Sequence, residues 1–214
     1  MDALDRISDE IREDFERRTK IRDEALAQAR QLTRFAAMTI RAIHREEKDE
    51  AQNQLEQAKT LVQQMREDLK NDPDLYYSGY CQDAIKEYVE ANITVALING
   101  RPLPTPQELG AEYATYLGGL AETLGELRRR CMDLLRPGYS HEVERLLGWM
   151  DEIFSQLVTM DYPDAITDGL RRRTDLARGI LERTRADITI SFRQSELEEA
   201  LENLSSQLNH QPEA

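Results

Sequence analysis

The sequence lacks several features that would define a class of protein. No apolar run among its 214 residues is long enough to span a bilayer, and the first stretch, MDALDRISDEIRED, is too charged for a signal peptide. Its two cysteines, Cys81 and Cys131, are far apart and form no CxxC pattern, so neither a zinc site nor a disulfide framework is expected. These absences predict a cytoplasmic protein without a membrane partner.

Lysine is also scarce in this chain. There are only 5 lysines against 23 arginines, and the formal net charge is −13. A charge of that sign argues against generic nucleic-acid binding, because phosphate attraction is the sequence-independent part of such binding. The arginines nevertheless cluster, for example at residues 128–130 and 171–173, and a guanidinium suits carboxylates and phosphates equally well. Salt-bridged helix faces, phosphate contacts and an adaptation to a salty cytoplasm all remain open as explanations.

Glycine and proline are absent from residues 1–72, where apolar residues recur at helical intervals. Long helices are the economical interpretation of this pattern, with a break at the wholly polar segment of residues 45–52. After residue 72, clusters of proline or glycine separate further helical patterns. These clusters are NDPDLYYSG, NGRPLPTP, RPGYS and DYPD.

No segment indicates a strand, and no repeat or linker divides the chain. We therefore predict an all-α, single-domain bundle of about six or seven helices, several of them long, over residues 1–208. The last helical stretch is expected from about Pro163 to Leu208, followed by a frayed tail at residues 209–214.

One helical pattern, DAIKEYVEANITVALING, contains two glutamates in an otherwise apolar run. Glu87 and Glu90 are three positions apart, so they share one face of a helix. Both sides of that helix are largely apolar, which predicts packing against more than one neighbour. Because burial of an unpaired charge is costly, these carboxylates are expected to be paired, bound to metal or placed at a cleft.

A second acidic pair occurs in YLGGLAETLGELRRR. Glu122 and Glu126 are four positions apart and share their face with Gly118, which permits close approach of another backbone, and with Arg129. Two helices that each offer such a pair can converge on a hard cation such as Mg²⁺ or Mn²⁺. A solvated helix face is the common alternative for each pair taken alone, because glutamate is a good helix former.

The three histidines, His44, His141 and His210, complete no Glu-x-x-His motif. That motif is typical of di-iron carboxylate bundles, so redox iron chemistry is disfavoured. A hydrolytic site of the Mg²⁺ type agrees better with the sequence.

Three stretches in order, ARQLTRFAAMTIRAIHR, YYSGYCQDAIKEYVEA and YLGGLAETLGELRRR, resemble the translin superfamily across most of the chain. The similarity is greatest to the Trax-like branch, translin-associated factor X, in its archaeal form. This resemblance implies an all-α bundle that assembles into an octameric shell. It also implies membership of the catalytic branch, because the stretch after the paired tyrosines has acids where the non-catalytic translin branch is basic and rich in histidine.

The resemblance also implies which residues are functional. The two glutamates of the Trax-type EYVEA-like motif belong to a metal-dependent ribonuclease site, and they match Glu87 and Glu90. The family has an acidic residue four positions before the glutamate of a Gly-Glu-Leu motif, which matches Glu122 and Glu126. The first of these is usually aspartate, so the longer Glu122 departs from the pattern. All four are implied to be catalytic and metal-binding, with Glu122 as either a ligand or a water-orienting base.

The resulting prediction is a Mg²⁺-dependent endoribonuclease, with Mn²⁺ as an alternative cofactor, that acts on single-stranded RNA inside a homo-oligomer, implied to be an octamer. Single-stranded DNA is a second candidate partner. Arg41, Arg45, Arg128 and Arg129 are expected to contact phosphates without reading bases.

Three other functions fit the same residues. A non-catalytic translin-like protein would bind single-stranded RNA or DNA and use the acids structurally. An all-α nucleotide pyrophosphohydrolase also has a Glu-x-x-Glu before a second acidic pair, but that second pair has three-residue spacing, whereas Glu122 and Glu126 are four apart. A helical scaffold would need no site at all.

Overall fold

The structure is a computed structural model that describes residues 2–209. Within these residues the chain forms nine α-helices and no strand, which confirms the predicted all-α fold. The helices are α1 Asp2–His44, α2 Lys48–Asp68, α3 Pro73–Tyr76, α4 Gly79–Ile98, α5 Pro106–Leu109, α6 Tyr113–Leu135, α7 Glu142–Thr159, α8 Asp164–Thr167 and α9 Leu170–Asn209. None of the described helices is both long and apolar enough to cross a membrane.

Six of these helices are long and correspond to the helical patterns of the sequence. The break predicted within residues 45–52 falls at residues 45–47, between α1 and α2. The four-residue helices α3, α5 and α8 lie in proline clusters for which the sequence predicts only separation of longer helices. Each begins at a proline or directly after one, and proline is tolerated there because the first helical N–H groups have no partner within the helix.

The last helical stretch differs from its prediction, because it is not continuous from Pro163. Asp168 and Gly169 have φ angles of 50° and 71°, which are left-handed and end a right-handed helix, so α9 begins only at Leu170. At its other end α9 includes Asn209, the first residue of the expected tail, and residues 210–214 lie outside the described part of the chain.

α4 lies at the centre of the bundle, where it packs against α1, α2, α6 and α7. Eleven of its 20 residues are buried, so only a narrow face is left for polar side chains. Ala25, Ala29 and Ala36 of α1 are almost fully buried, and such small side chains allow the long first helix to approach its neighbours closely. Glu87 and Glu90, both half-buried, occupy the narrow polar face of α4.

α6 approaches α4 closely at Gly119. A Cβ atom at this position would lie 2.7 Å from Val89 Cγ1 and 2.8 Å from the carbonyl oxygen of Lys86, so only glycine fits without displacing α4. The sequence indicated Gly118 as the position of close backbone approach. A Cβ atom at Gly118 would instead contact the side chain of Lys86 and not the backbone of α4. The close contact fixes the position of the following turns of α6, which carry the second acidic pair.

Candidate active site

A cavity of about 380 Å³ lies between α1, α4 and α6. Three carboxylates line it: Glu87 and Glu90 from α4, and Glu126 from α6. Arg41 of α1 and Arg129 of α6 also line the cavity, together with small and apolar residues of α1. The structure therefore brings three of the four predicted carboxylates to one cavity, next to two of the four predicted arginines.

The carboxylates on α4 are partly withdrawn from water and lie near other negative charges. Burial, followed by the charges of Glu122 and Glu126, raises the pKa of Glu90 from 4.5 to about 8, although Lys86 acts in the opposite direction. Burial likewise raises the pKa of Glu87. Within residues 2–209, neither side chain forms an ion pair. This side of the cavity therefore has carboxyl groups without cationic partners, and Glu90 holds its proton near neutral pH unless a cation binds nearby.

Glu126 lines the same cavity but has partners. Nε2 of His44, in the last turn of α1, donates to Glu126 Oε2 at 2.6 Å, and Arg129 Nη1 lies 3.6 Å from the same oxygen. The hydrogen bond from His44 lowers the pKa of Glu126 below 4.5, although burial opposes it. The His44 side chain is only 3% exposed. Glu126 is therefore an ionised carboxylate whose orientation is fixed by a buried ring.

Glu122 is not among the residues that line the cavity. Lys86 Nζ donates to Glu122 Oε1 at 2.7 Å, and Nε of Arg173, on α9, lies 3.4 Å from the same oxygen. The two cationic side chains are mostly buried, with exposures of 16% and 20%. Glu122 is thus paired with cations outside the cavity, whereas the two glutamates of α4 form no ion pair within residues 2–209.

The cavity residues match a divalent cation in ligand type and charge. In the part of the chain that the structure describes, no three His, Cys, Asp or Glu side chains are already arranged as a metal site. However, Glu87, Glu90 and Glu126 are all oxygen donors on one cavity, and Glu90 is a buried carboxyl with several negative neighbours. Mg²⁺ and Mn²⁺ prefer such hard oxygen ligands, and a bound cation would favour the ionised form of these carboxyls.

The four predicted RNA-binding arginines are in different situations. Arg41 and Arg45 are exposed and form no ion pair within residues 2–209. Arg129 is 54% exposed beside the cavity. Arg128, in contrast, pairs with Asp187 of α9, with 2.7 Å between Nη2 and Oδ2. Arg41, Arg45 and Arg129 are therefore accessible to a phosphate, whereas Arg128 is already engaged within the bundle.

The sequence did not assign three residues to this site: His44, Lys86 and Arg173. The position of His44 could have been predicted, because Ala36, Ile40 and His44 are spaced by four residues and therefore lie on the same face of α1, which packs into the bundle. Lys86 could also have been predicted to lie near the site, because it is a cation four positions before Glu90 in an apolar helix. Arg173 could not have been predicted, because its contact joins α9 to α6 across many residues of sequence.

The fold and the cavity define an all-α protein with a carboxylate-lined cleft between long helices. The model of the Translin family matches residues 4–184, and the chain belongs to this family. The chain is also 32% identical, over 193 residues, to an uncharacterized protein of Methanocaldococcus jannaschii, with coverage of 89% of this chain and 85% of that protein.

Solved structures show the same architecture. A structure of AfC3PO in complex with duplex RNA has a TM-score of 0.81 and 30% identity, covering 87% of this chain and 96% of that chain. A crystal structure of AfC3PO has a TM-score of 0.79 and 29% identity, covering 87% and 97%. Apo-NeC3PO, at 22% identity, shares the fold with a TM-score of 0.78, covering 86% and 96%. The resemblance to the translin superfamily that the sequence motifs indicate is thus confirmed.

Proposed function

We propose that this protein is an endoribonuclease that acts on single-stranded RNA and depends on Mg²⁺, with Mn²⁺ as an alternative. The observation that carries the proposal is the convergence of Glu87, Glu90 and Glu126 on one cavity beside Arg41 and Arg129. Nucleic-acid binding is supported by membership of the Translin family and by 30% identity to AfC3PO, whose structure was solved with duplex RNA.

The four glutamates have two kinds of role in this proposal. Glu87, Glu90 and Glu126 are the proposed metal ligands, and His44 holds the Glu126 carboxylate in a fixed direction. A divalent cation at this cavity would lower the pKa of a bound water and stabilise the charge of the phosphodiester during in-line attack. Glu122 acts on Glu90 through its charge, which favours the retention of a cation nearby.

A row of arginines on α1 supports contact with a nucleic-acid backbone. Arg30, Arg34, Arg41 and Arg45 are spaced by four and seven residues, so they lie along one face of the chain's first helix and the turn after it. All four are exposed, and none forms an ion pair within residues 2–209. Because guanidinium groups bind phosphate in two-pronged geometry, this row is the proposed path of RNA past the cavity.

We also propose a homo-oligomer, and specifically an octamer. Two rows of large apolar side chains are exposed on the long terminal helices. They are Leu4, Ile7, Ile11 and Phe15 on α1, and Ile190, Leu197, Leu201 and Leu204 on α9. Each row follows helical spacing, and stripes of this kind mark contacts between subunits. Native mass spectrometry should give eight chains of 24.7 kDa per particle, and a monomer would contradict this part of the proposal.

A cleavage assay tests the catalytic proposal. Purified protein is incubated with a labelled single-stranded RNA, the same RNA as a duplex, and a single-stranded DNA, each with Mg²⁺ and with EDTA. We expect Mg²⁺-dependent internal cleavage of the single strand, and a loss of at least about 100-fold in the Glu90→Gln variant, because a metal ligand is removed. The control is Glu152→Gln, at an exposed position of α7. Cleavage that survives in EDTA or in Glu90→Gln would refute the proposed site.

A second candidate function is nucleic-acid binding without catalysis. It is favoured by the ion pairs of Glu122 with Lys86 and Arg173, which give this carboxylate a structural role without any metal. In that case, the wild type would bind RNA with the salt dependence of phosphate contacts and would cleave none of the substrates.

A further inference from the structure

Lys86 and Arg173 form a compact cationic cluster around Glu122. Both side chains reach the same oxygen, Glu122 Oε1, with Lys86 Nζ at 2.7 Å and Arg173 Nε at 3.4 Å. Arg173 is fixed further by donating to the carbonyl oxygen of Asp168. An oxygen that already has two cationic donors is a poor ligand for a third cation.

The backbone of α6 makes room for this cluster at Gly118, one turn before Glu122. A Cβ atom at Gly118 would lie 3.2 Å from Lys86 Cδ and 3.7 Å from Arg173 Cζ. Both cationic side chains therefore pass over Gly118 in close contact with the helix. The space left by the missing side chain lets the lysine and arginine reach Glu122 while mostly buried.

The charge of Lys86 also extends to the cavity. Lys86 precedes Glu90 by four positions on α4, so the two side chains share a helix face and the lysine brings a positive charge beside the cavity. Lys86 thus joins α4 to the Glu122 carboxylate of α6 through a cationic group. A pair of divalent cations normally lies about 3.5–4 Å apart and needs carboxylates shared between them. Glu122 does not line the cavity and its Oε1 has two cationic partners, so the carboxylates that the cavity itself offers are Glu87, Glu90 and Glu126.

We propose that Lys86 and Arg173 take the place of a second metal ion by pairing with Glu122, so that the cavity binds one divalent cation per chain, held by Glu87, Glu90 and Glu126. This inference rests on the proposed function. Lys86 and Arg173 are then positioning residues that set the number of bound metal ions. Glu122 lies beside the metal site but is not a metal ligand.

The number of bound ions tests the inference directly. Full-length protein in its native assembly is freed of metal and titrated with Mn²⁺, and free Mn²⁺ is measured by electron paramagnetic resonance. We expect one tight ion per chain in the wild type. The Lys86→Met variant, and the double variant Lys86→Met with Arg173→Met, release Glu122 and should bind two ions per chain. The Lys59→Met variant, which changes an exposed lysine of α2, should still bind one.

Each outcome has a defined meaning. Two ions per chain in the wild type, or one ion in the double variant, would overturn this inference and leave the proposed nuclease intact. No saturable Mn²⁺ in the wild type would overturn the proposed metal-dependent function itself. Lys86→Gln, which keeps a hydrogen-bond donor but loses the charge, is measured in parallel in case the methionine variants do not fold, and it should also bind two ions. Circular dichroism and native mass spectrometry verify folding and assembly.

Discussion

The two acidic pairs of this protein contain the same residue type but have opposite electrostatic environments. On α4, Glu87 and Glu90 form no ion pair within residues 2–209, and burial raises the pKa of both. On α6, Glu122 is paired with a lysine and an arginine, and Glu126 accepts a hydrogen bond from a histidine that lowers its pKa. Spacing along a helix therefore does not determine the charge state of a carboxylate, because neighbouring helices supply or withhold the cations.

The cause of the difference lies in the positions of the two helices. α4 is the central helix, with apolar neighbours around most of its surface. α6 packs against α9 as well as α4, and α9 contributes Arg173. The carboxyl groups without cationic partners are therefore on the α4 side of the cavity, where we expect a metal ion to have its largest effect.

The largest expected effect comes from separating the two pairs. Gly119→Ala would force a Cβ atom to within 3 Å of Val89 and of the Lys86 carbonyl, and neither can move without shifting α4. We expect the free energy of unfolding to fall by about 3 kcal/mol, as for other overpacked helix contacts. We also expect Mn²⁺ to bind more weakly. Urea denaturation at matched protein concentration and Mn²⁺ titration measure the two effects.

The control for this change is Gly125→Ala on the same helix. A Cβ atom at Gly125 meets nothing within 4 Å, so this variant should keep its stability or gain up to about 1 kcal/mol from improved helix propensity. Equal losses in both variants would show that α6 does not depend on a close approach at Gly119.

A smaller effect is expected from removing the partner of Glu126. His44→Ala deletes the 2.6 Å hydrogen bond and should weaken Mn²⁺ binding about 10-fold, because the ligand loses its fixed orientation. The pKa of Glu126 should rise at the same time, since the hydrogen bond is the main cause of its lowering. Isothermal titration calorimetry measures the affinity, and carboxyl ¹³C NMR measures the pKa. His141→Ala, at an exposed histidine, should leave both unchanged. If the two variants behave alike, His44 does not position Glu126.

The smallest effect is a pH dependence of stability that has opposite sign for the two pairs. Without metal, the pKa of Glu90 is about 8 in the folded chain and near 4.5 in the unfolded chain, so its contribution to stability falls as pH rises from 4.5 to 8. The pKa of Glu126 is lowered, so its contribution is present above pH 4.5 and is lost as pH falls below that value.

Variants at the two positions should separate these contributions. Glu90→Gln should stabilise the metal-free protein by about 1 kcal/mol at pH 8, which corresponds to about 2–4 °C in Tm for a domain of this size, and should flatten the profile between pH 4.5 and 8. Glu126→Gln should leave that window unchanged. Thermal denaturation in EDTA across this pH range is the measurement. Parallel profiles for the wild type and Glu90→Gln would contradict the raised pKa of Glu90.

Most of the fold could be predicted from the sequence, because its signals are local. The absence of glycine and proline before residue 73 and the regular apolar spacing indicated α1, α2 and the break between them. The short helices and the start of α9 were not predicted. They depend on turn geometry at individual residues, such as the left-handed backbone of Asp168, which helical periodicity does not encode.

The candidate site was only partly accessible from the sequence. Helical spacing and family motifs indicated the four glutamates, and three of them line one cavity. Their partners were missed, because His44 and Glu126 are 82 positions apart and Lys86 and Glu122 are 36 apart. Contacts over such separations follow from helix packing, for which a single sequence offers no local periodic signal.

The sequence by itself determined that this protein is an all-α member of a recognisable family and that four glutamates occur as two pairs on helix faces. Only the tertiary structure decided which of these glutamates are balanced by cations, and which of them share a cavity. The physical reason is that helix formation depends on neighbouring residues in the chain, whereas the charge of a carboxyl depends on burial and on distances to groups from other helices.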